Sequence, residues 1–314
     1  MAHILVAILK SIRPRQWVKN TALFAALVFS GQLFNPTQVF IVIKAFILFS
    51  LLCSSVYLIN DVMDAPKDRK HPFKKLRPIA KGDLPSWLAL ALATVMVTFV
   101  LVTSYALSFF FYVSVLSYLL LQLAYSLLLK QIVIMDILII AAGFILRVYA
   151  GAFVIDAHLN VWFLLTIISI ALFLASGKRR FELTILSGAN GETPSSHRST
   201  LSLYSEKILD MYTNMFATST WITYAIFTFQ ETPPVPSYGT LQLFSILPST
   251  LEQRKWLMLT VPLVIYGVMR YLQVIYHKKS GESPERVLLS DSTLLGTVAA
   301  WGLLVVFIIY VLSR

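Results

Sequence analysis

Three carboxylates stand close together in the segment NDVMDAPKDRKHPFKKLRPIAKG, residues 60–82. Asp61, Asp64 and Asp68 are spaced i, i+3, i+7, which places side chains on one face of a helix. Pro66 fits poorly in a helix interior, so Asp68 can instead fall in the turn that follows. Clustered acids repel one another unless a cation sits among them. Carboxylate oxygens suit Mg²⁺, which binds through one or two carboxylates, waters and substrate phosphates. Lys67, Arg69, Lys70, Lys74, Lys75, Arg77 and Lys81 follow, a set suited to gripping phosphate oxygens. A Mg²⁺–diphosphate site at a membrane surface is the chemistry this pattern supports. A solvated loop obeying the positive-inside rule accounts for the cations, but not for three acids in register on a continuing helix.

Further ionisable residues lie inside apolar runs. In MDILIIAAGFILRVYAGA, Asp136 and Arg147 are eleven residues apart, close to three helical turns, and share a face. Roughly 16 Å of rise separates them, so they do not pair with each other. Each costs about 2.5–3.5 kcal/mol to insert, a cost usually offset by a partner, a cavity or a ligand. Tyr125 and Lys130 end one apolar run, and Lys178, Arg179 and Glu182 end another, which suggests one site built from several helix ends. Lys44 and Arg270 read as snorkelling or packing residues. His71 and His158 lack metal-ligand spacing, the single Cys53 sits in an apolar run, and no Gly-rich phosphate loop occurs.

The elements that must position these residues are membrane helices. The 314 residues are 57% hydrophobic and 13% charged, with mean hydropathy +0.75, which excludes a soluble domain. The net charge of +11 sits in the connections between apolar runs, favouring anionic headgroups and phosphorylated substrates over nucleic acid. The pattern predicts an all-α integral membrane protein, one domain over 1–314, without a cleavable signal peptide. A short interfacial helix is expected over 1–16, then spans at about 18–34, 38–60, 86–104, 108–129, 132–154, 160–177, 207–229, 256–276 and 291–312. Asn35-Pro36 cuts the first of these nine short.

Of the 26 Lys and Arg residues, the outer segments would hold only Arg254, Lys255 and Arg314, with Lys44, Arg147 and Arg270 inside spans. That asymmetry predicts a multi-pass plasma (inner) membrane protein with a cytoplasmic N-terminus and an external C-terminus. The cytoplasmic connections at about 61–85 and 178–206 would carry the site. The second turns Gly/Ser/Thr/Pro-rich after its charged start, which suggests mobility in its distal part. The outer connection 230–255, with Pro233, Pro234, Pro236 and an apolar TLQLFSIL run, reads as a short interfacial segment without chemistry.

NDVMDAPKD resembles the NDxxDxxxD signature of the UbiA superfamily of membrane prenyltransferases, whose members have nine transmembrane helices. RPRQWVKN, RPIAKG, YSLLLKQIVIMD, GFILRVYAGA, SGKRRFEL and RYLQVIYHKKSGESPERVLLSD resemble one branch. That branch is the decaprenyl-phosphate (polyprenyl-phosphate) phosphoribosyltransferases of arabinan precursor synthesis, and these stretches cover nearly the whole chain. The resemblance implies transfer of a 5-phosphoribosyl group from phosphoribosyl pyrophosphate (PRPP) to a polyprenyl phosphate, with release of pyrophosphate. It implies Mg²⁺ on Asp61, Asp64 and Asp68 with Asn60 in support, and Asp136 at the position of a second acidic motif. Ile140 stands where that motif's partner acid is expected, which puts a second protein-bound metal in doubt. Lys19, Arg77, Lys81, Lys130, Lys178 and Arg179 are the implied phosphate ligands, with Asn20, Tyr125, Arg147 and Glu182 also placed at the substrates. Homo-oligomers are compatible with the resemblance, but no interface is readable. An aromatic prenyltransferase with a polyprenyl diphosphate donor would use the same acids; the density of cations favours the more phosphorylated pair. A lipid transporter would show internal repeats and broken helices at the midplane, whereas the charges here gather at one surface, which favours an enzyme.

Overall fold

The structure, a computed structural model, describes residues 2–69, 74–188, 203–231, 255–277 and 284–312. Among them every regular element is a helix. This is what lipid demands, since backbone polar groups with no water nearby must be satisfied inside their own segment. The chain divides into two compact units, Met1–Lys130 with Leu146–His158, and Gln131–Ile145 with Leu159–Arg314.

The first unit contains α1 (Ala2–Ser11), a 3₁₀ segment Pro14–Leu23, α2 (Phe24–Phe29), α3 (Pro36–Asp68), α4 (Pro78–Lys81), α5 (Ser86–Leu107) and α6 (Phe109–Leu127). α3 organises it. Asn35 caps its start by accepting from the Thr37 N–H, with Pro36 at the first helical position, where a missing N–H costs nothing. Its 33 residues span about 50 Å, more than the roughly 30 Å of a hydrocarbon core. α5 packs along it, and Ala7, Leu58, Ala65, Ile79, Leu84, Ala89 and Ala93 form a core shared by α1, α3, α4 and α5.

α7 (Met135–Val154) gives residues to both units. The second unit continues with α8 (Val161–Gly188), α9 (Glu206–Gln230), a 3₁₀ turn Trp256–Thr260, α10 (Val261–His277), α11 (Pro284–Ser290) and α12 (Ser292–Tyr310). α8 and α9 pack extensively, and Phe173, Ala217, Tyr271, Val274, Val287 and Leu294 join α8 through α12. Arg270 donates to both carboxylate oxygens of Asp291, which also caps α12, so Arg270 is a packing residue as expected.

Among the described residues, seven helices are long and apolar enough to cross a membrane: Pro36–Asp68, Ser86–Leu107, Phe109–Leu127, Met135–Val154, Val161–Thr184, Trp256–Tyr276 and Ser292–Tyr310. Two expectations are modified. The run 18–34 is not one α-helix: it joins the 3₁₀ segment to α2 and ends in a turn where Gly31 takes φ 73°. The run 207–229 is helical as α9, but Thr and Ser residues lower its hydropathy. Their hydroxyls bond back to the helix, as Thr213 does to the Leu209 carbonyl and Thr220 to that of Phe216.

Three boundaries also move. α1 ends at Ser11 rather than at 16, because Arg13 precedes Pro14 and leaves the α region at φ 52°. The expected connection at 61–85 opens as helix, since α3 runs unbroken through Pro66 to Asp68. Pro66 lies in the last turn, where it removes the bond its N–H would have given to the Val62 carbonyl, and the helix ends two residues later. Likewise α8 continues to Gly188, so Lys178, Arg179 and Glu182 are helical. The distal part of the inner connection and the outer segment around Pro233–Pro236 lie outside the described residues.

Candidate active site

The residues singled out in the sequence fall into separate groups within each unit. In the first, α3 presents a stripe at seven-residue intervals, Ser54, Asp61 and Asp68. Ser54 Oγ donates to the Ile12 carbonyl at 2.9 Å and accepts from the Trp17 indole N–H at 3.0 Å, which fixes the chain on either side of Arg13. Arg13 then lies over the Tyr57 ring, and its Nη2 donates to Asp61 Oδ1 at 2.5 Å. Arg77 Nη1 donates to the same Asp61 oxygen at 3.2 Å and to Asp68 Oδ2 at 2.7 Å. Arg77 is extended ahead of Pro78, the conformation a following proline favours, and α4 behind it is tied to α3 by Arg69 Nε donating to the Ala80 carbonyl. Both arginines that grasp Asp61 therefore belong to Arg-Pro pairs.

Burial separates the three acids. Asp61 and Asp68 keep 4% and 6% of their side chains exposed, whereas Asp64 keeps 36% and meets Lys130 Nζ at 3.4 Å. Two buried carboxylates need compensating charge, and Arg13 and Arg77 provide it. Next to Asp61 in the chain, Asn60 Oδ1 is buried without a hydrogen-bond partner among the described residues. Among the described residues no three His, Cys, Asp or Glu side chains converge closely enough to hold a metal by themselves. The donor set of hard carboxylate oxygens plus an orphaned amide oxygen nevertheless fits Mg²⁺, which completes its coordination with water and phosphate.

Of the other predicted residues of this unit, Lys81 lies on α4, Lys19 on the 3₁₀ segment and Tyr125 on α6. Lys81 bonds Asp83 at 2.8 Å at the surface, and that hydrogen bond lowers the Asp83 carboxyl below its usual range. Lys19 Nζ donates to Gln16. Tyr125 is half-buried on α6. Arg147 and Asn20 form a second, fully buried cluster: Arg147 Nε donates to Asn20 Oδ1 at 2.8 Å and Nη2 to the Tyr118 hydroxyl at 2.7 Å. Asn20 Nδ2 donates in turn to Ser50 at 3.0 Å, and Cys53 lies against both Asn20 and Tyr118. This network joins α3, α6, α7 and the 3₁₀ segment.

In the second unit Asp136 is fully buried in the first turn of α7. Its Oδ2 lies 2.8 Å from Arg179 Nε, and its Oδ1 accepts from the Tyr204 hydroxyl at 2.9 Å. Arg179 also bonds Glu182, whose other oxygen is 3.9 Å from Lys178 Nζ. Burial, with the Asp136 carboxylate adding to it, pushes the Tyr204 hydroxyl up to about 12, so it keeps its proton and donates. The same hydroxyl accepts from the Ile134 N–H at 2.7 Å, holding a β-branched residue at φ 71° just ahead of α7. Neighbouring Arg180 reaches Asp210 and Glu206 on α9.

Sequence inspection alone passed over Arg13, Tyr204 and Tyr118 as site residues. Arg13 carried a usable signal, an Arg-Pro pair matching Arg77-Pro78. The tyrosines carried none, because their partners are 68 and 29 residues away.

The matching family description is the UbiA prenyltransferase family, over residues 20–178. The decaprenyl-phosphate phosphoribosyltransferase of Mycolicibacterium smegmatis is 32% identical over 95% of this chain and 91% of its own length. That of Corynebacterium glutamicum is 31% identical over 97% and 87%. Among solved structures, a UbiA homolog from Archaeoglobus fulgidus bound to DMAPP and Mg²⁺ superposes with TM-score 0.66 at 16% identity, covering 95% of this chain and 98% of its own. At that identity the likeness speaks for the fold.

Proposed function

This chain belongs to the UbiA prenyltransferase family, and within it we propose that it transfers the 5-phosphoribosyl group of PRPP to a polyprenyl phosphate, releasing pyrophosphate. The observation that carries the reading is end-to-end similarity to decaprenyl-phosphate phosphoribosyltransferases, at 31–32% identity over 95–97% of the chain. In the reaction an acceptor phosphate oxygen bonds to C1 of the ribose as the C1–O bond to the diphosphate breaks, the bonding pair leaving with pyrophosphate. The acceptor is already an anion, so no strong general base is required. What the chain must supply is positive charge where the leaving group develops its negative charge.

Asp61, Asp64 and Asp68, with Asn60, are the residues proposed to hold Mg²⁺. Bound there, the ion supplies positive charge to the diphosphate oxygens. Arg77, Arg13 and Lys130 are 29% exposed in their side chains and border these acids, which suits donation to phosphate oxygens from a partly open edge. In the second unit Asp136 and Tyr204 act as positioning residues for Arg179, and Lys178, 31% exposed, is the cation best suited to a phosphate. Lys19 and Lys81 would need to leave Gln16 and Asp83 to serve the same purpose. The buried Arg147–Asn20–Tyr118 network supports a positioning role.

We further propose one membrane domain of nine crossings, with N-terminus and site cytoplasmic and C-terminus outside. The 3₁₀ segment with α2 extends about 29 Å, and the 25 residues of α9 about 37 Å, each near the thickness of a hydrocarbon core. α1, with Ile4, Leu5, Val6 and Leu9 exposed, would lie in the interface. The test uses purified protein in detergent with Mg²⁺, radiolabelled PRPP and a polyprenyl phosphate. Label should enter the organic phase and should stop entering when EDTA is added. If label instead stays aqueous while a prenyl diphosphate reacts with an aromatic acceptor, the substrate pair is wrong and the family assignment stands.

A further inference from the structure

We propose that Arg13 and Arg77 are exchangeable counter-ions. They hold Asp61 and Asp68 when no divalent cation is bound, and pass to the diphosphate of the donor when one is. The inference rests on the proposed function in one respect, that the site takes a divalent cation together with a diphosphate. It gives Arg13 a role beyond that of a partner for Asp61.

The charge balance carries it. Asp61 and Asp68 are buried carboxylates whose charged partners among the described residues are two guanidiniums, Arg13 and Arg77. Two guanidiniums carry the charge of one divalent cation. Adding the cation with both arginines in place leaves the pocket two charges in excess, a costly arrangement among groups so poorly exposed to solvent. An anion carrying several charges removes that excess and offers the fork geometry a guanidinium prefers. Both arginines are placed to change partners. Each is 29% exposed, each is attached beside a proline, and Arg13 takes φ 52°, ψ 62° at the joint between α1 and the 3₁₀ segment. Its stacking on Tyr57 gives the guanidinium a resting surface that does not depend on Asp61.

Metal and diphosphate must then bind with positive coupling, and by linkage each strengthens the other by the same factor. The experiment titrates Mn²⁺ into the full-length protein in detergent, reading free Mn²⁺ by electron paramagnetic resonance, alone and with inorganic pyrophosphate. Wild type should bind Mn²⁺ weakly alone and roughly tenfold or more tightly with pyrophosphate, the scale set by one charge-assisted hydrogen bond. Arg13→Gln should tighten Mn²⁺ binding in the absence of anion and weaken pyrophosphate binding roughly tenfold to a hundredfold, so that the coupling shrinks. Arg13→Lys, which keeps the charge, should retain most of the coupling.

A residue that merely orients Asp61 would behave oppositely. Its loss would leave Mn²⁺ affinity unchanged or lower, and either result in Arg13→Gln overturns the proposal. If Arg13→Gln does not fold, wild type decides alone, since Mn²⁺ and pyrophosphate binding independently in wild type also overturns it. Failure of the substrate assignment is separate. Wild type that couples Mn²⁺ to pyrophosphate through Arg13 yet transfers no phosphoribosyl group keeps this inference and loses that assignment.

Discussion

Arg13 and Arg77 both end on one oxygen of Asp61. Asp64, one turn along, faces outward to Lys130. Arg13 and Arg77 are each 29% exposed in their side chains and can turn to water when Asp61 is removed, so loss of either carboxylate should act on chemistry rather than on folding. Asp61→Ala and Asp64→Ala are expected to abolish phosphoribosyl transfer while gel-filtration profile and helical circular dichroism stay those of wild type. Full turnover in either purified variant would remove Mg²⁺ coordination from the account. The i, i+3, i+7 spacing was legible without coordinates, because three acids in register are rare on a helix leaving a membrane. Their unequal burial was not, since it depends on where Arg13 and Arg77 arrive from other elements. Asp136 shows the same limit: its spacing from Arg147 placed both on one helix face, while its bonds run to Arg179 and Tyr204.

Among the elements, the 3₁₀ segment Pro14–Leu23 depends on a close approach. A Cβ added to Gly151 of α7 would overlap the backbone of Leu23, where the segment ends. Gly151 lies one turn beyond Arg147, and Leu23 three residues after Asn20, so the approach sets the distance across which those two side chains bond. Gly151→Ala should cost about 1–3 kcal/mol through overpacking, read as a lower melting temperature in detergent. Gly302→Ala on α12 is the control. Nothing lies within 4 Å of its added Cβ, and it should be neutral or slightly stabilising. Equal melting of the two variants would rule out this packing constraint. A glycine in an apolar run shows nothing of such an approach in sequence, whereas Asn35-Pro36 and Arg13-Pro14 signal their breaks through proline's effect on the residue before it.

For the whole molecule, the distribution of Lys and Arg sets the proposed orientation, and Cys53 makes it measurable. The one native thiol is 4% exposed, so a membrane-impermeant maleimide should leave the wild type unlabelled in intact cells. Arg314→Cys should label from outside and Arg15→Cys only after the membrane is opened. Labelling of Arg15→Cys in intact cells would invert the topology. The same distribution accounts for a chain with net charge +11 that is nonetheless membrane-embedded, because its cations are grouped at the ends of apolar helices.

Composition and periodicity sufficed for the all-helical membrane class, most of the helices and the acidic stripe on α3, and short motifs such as NDVMDAPKD carried the family resemblance, because each is a local property of consecutive residues. Tertiary structure alone decided which charges meet. Arg13 reaches Asp61 across 48 residues and Tyr204 reaches Asp136 across 68. It also decided that the 3₁₀ segment replaces a continuous α-helix at 18–34. The physical reason is that a buried charge takes whatever partner the packing of other helices delivers, and nothing in its own neighbourhood specifies that partner.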